Sequence, residues 1–172
     1  MREGAEPLTA AVLVVSTAVA NSAAPDTSGP LLAGLLTEAG AEIVAVDAVG
    51  DDRAAIEALL RAHVASRVAV VLTCGGTGLT PDDLTPEATA AVIERDVPGL
   101  AEALRAQSLR HTPMGALNRG RAGVAGATLI VNLPGSPRAV QQLFGVLVPV
   151  LAHAVDSVRS PGGSRALHAK ET

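Results

Sequence analysis

The feature that most constrains this chain is an alternation of short apolar runs with amphipathic stretches of helical period. Residues 10–16 read A-A-V-L-V-V-S and residues 67–74 read R-V-A-V-V-L-T-C. Such nearly continuous apolar runs are expected of central strands covered on both faces. Residues 41–47 (A-E-I-V-A-V-D) and 127–132 (A-T-L-I-V-N) read as two further strands, with a short extra one around 121–124. Between them lie helical patterns. Ser28 is placed to cap the first, with Pro30 in its opening turn, and Leu31, Leu32, Leu35, Leu36 and Ala39 share one face before Gly40. Asp51 and Asp52 open the second, whose face is Ala55, Ile56, Leu59, Leu60, His63 and Val64, with Glu57 and Arg61 paired on its surface. Thr85-Pro86 starts a third, and Pro98 precedes a fourth that carries Leu100, Leu104 and Leu109. The last, 136–159, has the stripe Val140, Leu143, Phe144, Leu147, Leu151, Ala154, Val155 and Val158, with Pro149 expected to kink it. This order predicts an α/β domain, a three-layer, mostly parallel sheet with helices on both faces. Ligands in such folds sit beyond the carboxyl ends of the strands.

A chain of 172 residues, 48% of them hydrophobic, suits one domain with one core. We expect that domain at 1–159 and a flexible tail at 160–172, where Gly, Pro and charges gather. Phe144 is the only aromatic residue besides the histidines, so Ala, Val and Leu must fill the interior. The missing aromatic platforms, the net charge of −4 and the absence of a basic run exclude an ordinary nucleic-acid binder. No apolar run approaches a membrane span of about 20 residues. Residues 8–24 have the apolar character of an export signal, but Arg2 is offset by Glu3 and Glu6 where net positive charge is wanted. Cys74 stands alone, which rules out an intrachain disulfide and fits a cytoplasmic protein. It reads as inert packing rather than a nucleophile. His63, His111, His153 and His168 lack metal-ligand spacing, and His63 and His153 read as packing residues.

Chemistry is expected in the loops. The segment 73–87, T-C-G-G-T-G-L-T-P-D-D-L-T-P-E, follows the strongest strand. Gly75, Gly76 and Gly78 let the backbone approach a ligand, and Thr77 adds a hydroxyl. The same glycines would also serve a tight strand-to-helix connection, and the Lys-Ser/Thr pair of a P-loop is missing. A carboxylate beside phosphates suggests Mg²⁺ between them, which points to Asp83, whereas Asp82 reads as a solvated turn residue. Asp51 reads equally as a functional carboxylate and as a helix cap. The segment 132–137, N-L-P-G-S-P, ends a strand and opens the last helix: Ser136 can cap that helix and Gly135 lets an anion reach its start, and an ordinary capped loop is an equal reading on local grounds. A third loop, 21–29, holds Asp26 and Ser28, and Ser16 ends the first strand.

Together these loops resemble the MogA/MoaB family of molybdenum cofactor biosynthesis proteins. The resemblance is carried by Asp26-x-Ser28-Gly29-Pro30, Gly50-Asp51-Asp52, Gly75-Gly76-Thr77-Gly78, Asp83-x-Thr85-Pro86-Glu87-Ala88-Thr89, Pro98-Gly99, Ser108-Leu109, Thr112-Pro113, Leu117-x-Arg119 and Asn132-Leu133-Pro134-Gly135-Ser136-Pro137. It implies a molybdopterin adenylyltransferase that moves AMP from Mg-ATP to the terminal phosphate of molybdopterin and releases pyrophosphate. It also implies a homotrimer and a molybdenum-insertion protein as the next partner. Asp51 and Asp83 match the family's critical aspartates and are expected to be catalytic and to hold Mg²⁺. Ser16, Thr17, Asp26, Ser28, Gly75, Gly76, Thr77, Gly78, Ser108, Asn118, Arg119, Pro134, Gly135 and Ser136 are expected to bind molybdopterin and the nucleotide. Two positions depart from the pattern. Ala18 replaces a cationic or hydroxyl residue, and Asn118 replaces a common Ser. They favour the alternative, a weakly active or inactive molybdopterin-binding scaffold.

Overall fold

The computed structural model describes residues 7–160. The tail expected at 160–172, apart from Ser160, and His168 lie outside the described residues. The elements run β1 (Thr9–Val15), α1 (Thr17–Ala20), α2 (Ser28–Glu38), β2 (Glu42–Val49), α3 (Arg53–Ala65), β3 (Val70–Cys74), α4 (Thr85–Ala90), β4 (Arg95–Asp96), α5 (Pro98–Leu109), a 3₁₀ turn (Pro113–Leu117), β5 (Ala122–Ala125), β6 (Thr128–Leu133) and α6 (Pro137–Arg159). The sheet order is β2-β1-β3-β6-β5-β4. The first four are parallel, while β5 and β4 extend the sheet as antiparallel strands.

The apolar runs explain this order. β1, β3 and β6 are buried along almost their whole length because helices cover both of their faces. β2 lies at the edge and alternates, with Val44 and Val46 exposed on its outer side. One core layer packs Val12, Val14, Val70, Leu72 and Val131 under α2, α5 and α6. The other packs Ala11, Leu13, Val71 and Ile130 under α3 and α4. Small aliphatic residues dominate both layers, and Phe144 alone supplies an aromatic ring, which lies buried on the α6 side.

Several local expectations change. Ser28 does not cap α2. Asp26 Oδ1 accepts from the N–H groups of Ser28 (3.1 Å) and Gly29 (2.8 Å) instead. Asp52, not Asp51, caps α3 by accepting from Ala55 N at 2.8 Å. His63 is buried, with Nε2 3.0 Å from Asp47 Oδ2, but His153 is exposed rather than packed. α6 runs unbroken through Pro149, which sits on its solvent side. By length and apolarity α6 would suffice for a membrane span, contrary to the reading of the sequence. Here Val140, Leu143, Phe144, Leu147, Leu151 and Val155 seat one face of it on the sheet. β4, α1 and the 3₁₀ turn, all short, carry no periodicity for a sequence to show.

Candidate functional site

The parallel register puts three loop departures side by side. Val14 pairs with Cys74, and Cys74 pairs with Leu133, so β1, β3 and β6 end in line. β1 lies between β2 and β3, which makes this the point where the order of strands reverses and a crevice opens. A cleft of about 680 Å³ occupies it.

The glycine loop forms its floor. Gly75 (φ +107°) and Gly76 (φ +62°) turn the chain through conformations that L-residues rarely adopt. A Cβ on Gly75 would stand 2.2 Å from Val15 O, and one on Gly76 would stand 2.3 Å from Thr85 Oγ1. The loop is held from below. Gly75 N donates to Leu133 O (3.1 Å), Thr85 Oγ1 donates to Gly75 O (2.9 Å), and Thr85 N donates to Gly76 O (3.1 Å). Beneath it, buried Asn132 donates from Nδ2 to Thr73 Oγ1 (3.0 Å) and Thr89 Oγ1 (2.9 Å), so β3, β6 and α4 share one polar knot. Thr85, Thr89 and Asn132 support the cleft without lining it. The Pro-Gly loop closes the adjacent wall. A Cβ on Gly135 would stand 3.1 Å from Gly75 Cα, so the two loops are in contact. Ser28 Oγ donates to Gly135 O at 2.6 Å and ties α2 to that loop.

Of the expected binding residues, Ser16, Asp26, Ser28, Gly75, Gly76, Thr77, Gly78, Ser108, Asn118, Pro134 and Gly135 line the cleft, as does Asp83. Four expected residues do not. Ser136 spends its hydroxyl capping α6, where it accepts from Ala139 N at 3.1 Å. Arg119 turns away and clamps the outer side of the glycine loop. Nε donates to Gly78 O at 2.7 Å, Nη2 donates to Asp83 O, Nη1 pairs with Glu87, and its backbone N–H donates to Thr77 O at 2.9 Å. Thr17 and Asp51 lock to each other at the lip: Asp51 Oδ2 accepts from Thr17 N (2.9 Å) and Oγ1 (2.7 Å), while Asp51 N donates to Thr17 Oγ1 (2.9 Å). Ser16, the residue before Thr17, does line the cleft. Leu79, Met114 and Leu117, three apolar residues at the mouth that the sequence reading passed over, are 63%, 62% and 46% exposed. An exposed large apolar group is their only signal, and it becomes visible only once neighbours are known.

Asp83 Oδ2 accepts from Thr80 N (2.8 Å) and Thr80 Oγ1 (2.6 Å). Partial burial pushes this carboxyl up, but those bonds, the Gly78 N–H and the Arg119 guanidinium outweigh it and hold it below the usual carboxylate range. Glu87 is also held low. Burial raises it, and the hydrogen bond and charge of Arg119, its own backbone N–H and the charge of Arg53 lower it further. Cys74 goes the other way: burial, then the Asp26 charge, push its thiol up to about 12, which leaves it a neutral wall residue. No Lys, Arg or His lines the cleft among the described residues. Nor does any group of three or more His, Cys, Asp or Glu stand close enough there to cage a metal ion. Mg²⁺ is ordinarily held by one or two carboxylates together with phosphates and water. Asp83, on the cleft wall, therefore fits a Mg²⁺ ion delivered with a nucleotide, and Asp51 stands at the lip rather than among the lining residues.

Comparison with known proteins agrees with this geometry. Residues 11–153 match the family model described as a probable molybdopterin binding domain. The molybdenum cofactor synthesis protein cinnamon of Drosophila melanogaster is 40% identical over 152 residues, covering 87% of this chain and 25% of that protein. The molybdopterin adenylyltransferase of Helicobacter pylori is 36% identical over 111 residues, 64% of this chain and 63% of that protein. The crystal structure of the molybdopterin biosynthesis enzyme MoaB from Thermus thermophilus superposes with a TM-score of 0.83 at 41% identity, covering 88% of this chain and 96% of that one. The chain spans only 25%, 46% and 49% of the first curated relatives it matches.

Proposed function

This chain belongs to the MogA/MoaB family of molybdenum cofactor biosynthesis proteins, and we propose that it acts there as a molybdopterin adenylyltransferase. The observation that carries this reading is the meeting of three strand-end loops at one cleft with an ionised Asp83 on its wall. Phosphates dock against the backbone N–H groups of Gly76, Thr77 and Gly135, which supply positive dipole without a cationic side chain, while the Gly75 and Gly78 N–H groups are spent on Leu133 O and Asp83. The flat pterin rests on the apolar mouth formed by Leu79, Met114 and Leu117.

In the reaction, an oxygen of the terminal molybdopterin phosphate attacks the α-phosphorus of ATP. The new P–O bond forms as the bond to the β-phosphate oxygen breaks, so AMP is transferred and pyrophosphate leaves. A bound Mg²⁺ would screen the charge of the two anions. Asp83 would hold that ion, and the loops hold the reactants in line, so positioning and charge screening dominate the barrier. Neither aspartate acts as a base, because the attacking phosphate is already ionised. The reading includes a homotrimer in the cytoplasm that passes adenylylated molybdopterin to a molybdenum-insertion protein.

A second reading, a scaffold that binds molybdopterin without transfer, is favoured by Ala18 and by the lack of any Lys or Arg on the cleft wall among the described residues. The two separate on one assay. Purified protein incubated with Mg-ATP and molybdopterin is expected to yield adenylylated pterin and one pyrophosphate for each. Tight pterin binding with no product supports the scaffold, and binding of neither ligand rejects both.

A further inference from the structure

The cationic side chains that the cleft lacks gather behind its glycine loop. Arg105 of α5, Arg119 and Arg121 line a second cavity of about 200 Å³, together with Asp96, Pro98 and Gly120. That volume lies below the roughly 300–1,000 Å³ of a small-molecule pocket and suits one compact ion. The antiparallel end of the sheet creates the cavity. Asp96 pairs with Gly123 in the β4–β5 register, which brings Arg121 beside it, and α5 starts directly after β4. Arg105 Nη1 donates to Gly120 O at 2.9 Å, and Arg121 Nη1 stands 3.4 Å from Asp96 Oδ1. A guanidinium carries five N–H donors, and no protein acceptor takes the others of Arg105 and Arg121 among the described residues. No side chain caps α5, which opens on the same cavity at Pro98, so the positive end of its dipole adds to that charge. Asp96 is the one carboxylate of the lining, while Glu87 pairs with Arg119 from an adjoining cavity.

We infer that this cavity is a binding site for a phosphate-class oxyanion, held by Arg105 and Arg121 with Arg119 as the third wall. Guanidinium forks match oxygens that carry charge in pairs, and three of them facing one carboxylate leave donors that only a multiply charged oxygen set can take up. The site is separate from the cleft, and the inference does not rest on adenylyl transfer. Arg119 joins the two places, because it also grips Gly78 O and Asp83 O. The occupant is either free inorganic phosphate or a phosphoryl group of a longer chain such as pyrophosphate. The adjoining cavity, which shares Arg119 and Arg121, gives the longer chain room.

Amide NMR during titration of the whole chain with inorganic phosphate, and separately with pyrophosphate, tests this. The N–H signals of Gly99, Gly120, Arg121 and Ala122 are expected to shift and saturate. Tighter binding of phosphate assigns the occupant to the free ion, and tighter binding of pyrophosphate assigns it to a phosphoryl group of a longer chain. Arg105→Gln and Arg121→Gln should each weaken binding at these signals by roughly tenfold, from the loss of a charged donor set. Arg110→Gln, at the exposed far end of α5, should leave it unchanged. Asp96→Asn removes the opposing carboxylate and should tighten binding several-fold, a gain that a damaged fold does not produce. Thermal melting checks each variant. Should Arg105→Gln not fold, Arg121→Gln and Asp96→Asn decide, since the two side chains share only the one long contact. Shifts confined to Gly76, Thr77 and Gly135 overturn the inference and support the proposed function. Shifts that never saturate, or affinity that is the same in all the variants, overturn it as well.

Discussion

Two carboxylates that look alike in the sequence end in opposite situations. Asp83 leaves the loop after β3 and lines the cleft, with Thr80 and Gly78 bonded to it and the Arg119 charge behind it. Asp51 leaves the loop after β2 and turns its Oδ2 onto Thr17 at the lip, one residue from Ser16. One lies on the cleft wall. The other braces the turn that presents Ser16. Each follows a parallel strand at the same edge of the sheet, so being near the switch point is not enough. In both, Oδ2 accepts from the N–H and hydroxyl of a threonine, Thr80 for Asp83 and Thr17 for Asp51, and what separates them is that Asp83 lines the cleft while Asp51 stands at its lip.

The comparison breaks most sharply at Asp83. The Asp83→Asn variant keeps a side-chain oxygen for Thr80 and is expected to fold, while its adenylyl-transfer rate falls by roughly 100-fold, as for loss of a group that stabilises charge in the transition state. Single-turnover kinetics check this, and a rate within a few-fold of wild type would place the decisive carboxylate elsewhere. Next in size is the clamp behind that loop. Arg119→Ala frees the carbonyls of Gly78 and Asp83 and the Glu87 carboxylate, at about 1–3 kcal/mol, read as a thermal midpoint several degrees lower. Arg119→Lys should recover only part of it, because an ammonium cannot span the same fork of acceptors.

Asp51 sharpens the contrast from the other side. Asp51→Asn retains an oxygen for Thr17, so its turnover is expected within about threefold of wild type, whereas Asp51→Ala loosens the Ser16–Thr17 turn and raises KM more than it lowers kcat. A fall in kcat for Asp51→Asn as deep as that of Asp83→Asn would make the two carboxylates equivalent after all. The smallest effect is in pH. Asp83 and Glu87 are held below the ordinary carboxylate range, so their contribution is present above the unfolded-state values and is lost as pH falls through the folded ones. Acid unfolding should therefore steepen below about pH 4, and Asp83→Asn should flatten that slope.

Legibility followed distance along the chain. The helix from Arg53 was readable because its stripe and its capping Asp lie within one short window, although the cap proved to be Asp52 rather than its neighbour. The glycine loop was readable as a place where the backbone bends, and it bends there with positive φ at Gly75 and Gly76. The clamp that Arg119 makes was not readable, because its partners Gly78, Asp83 and Glu87 lie 41, 36 and 32 positions away. Ser28 was misjudged as a cap because the carbonyl it bonds, Gly135, lies 107 positions off.

The sequence by itself determined that continuous apolar runs must be buried strands, that helices must cover them on both sides, and that the bends between them are rich in glycine and proline. Those properties follow from local period and from the cost of leaving apolar surface in water. Only the tertiary structure decided which side chains the bends would meet. A hydrogen bond is satisfied by whatever donor or acceptor the packing brings within about 3 Å, and residues dozens of positions apart become neighbours only when the sheet has closed its register.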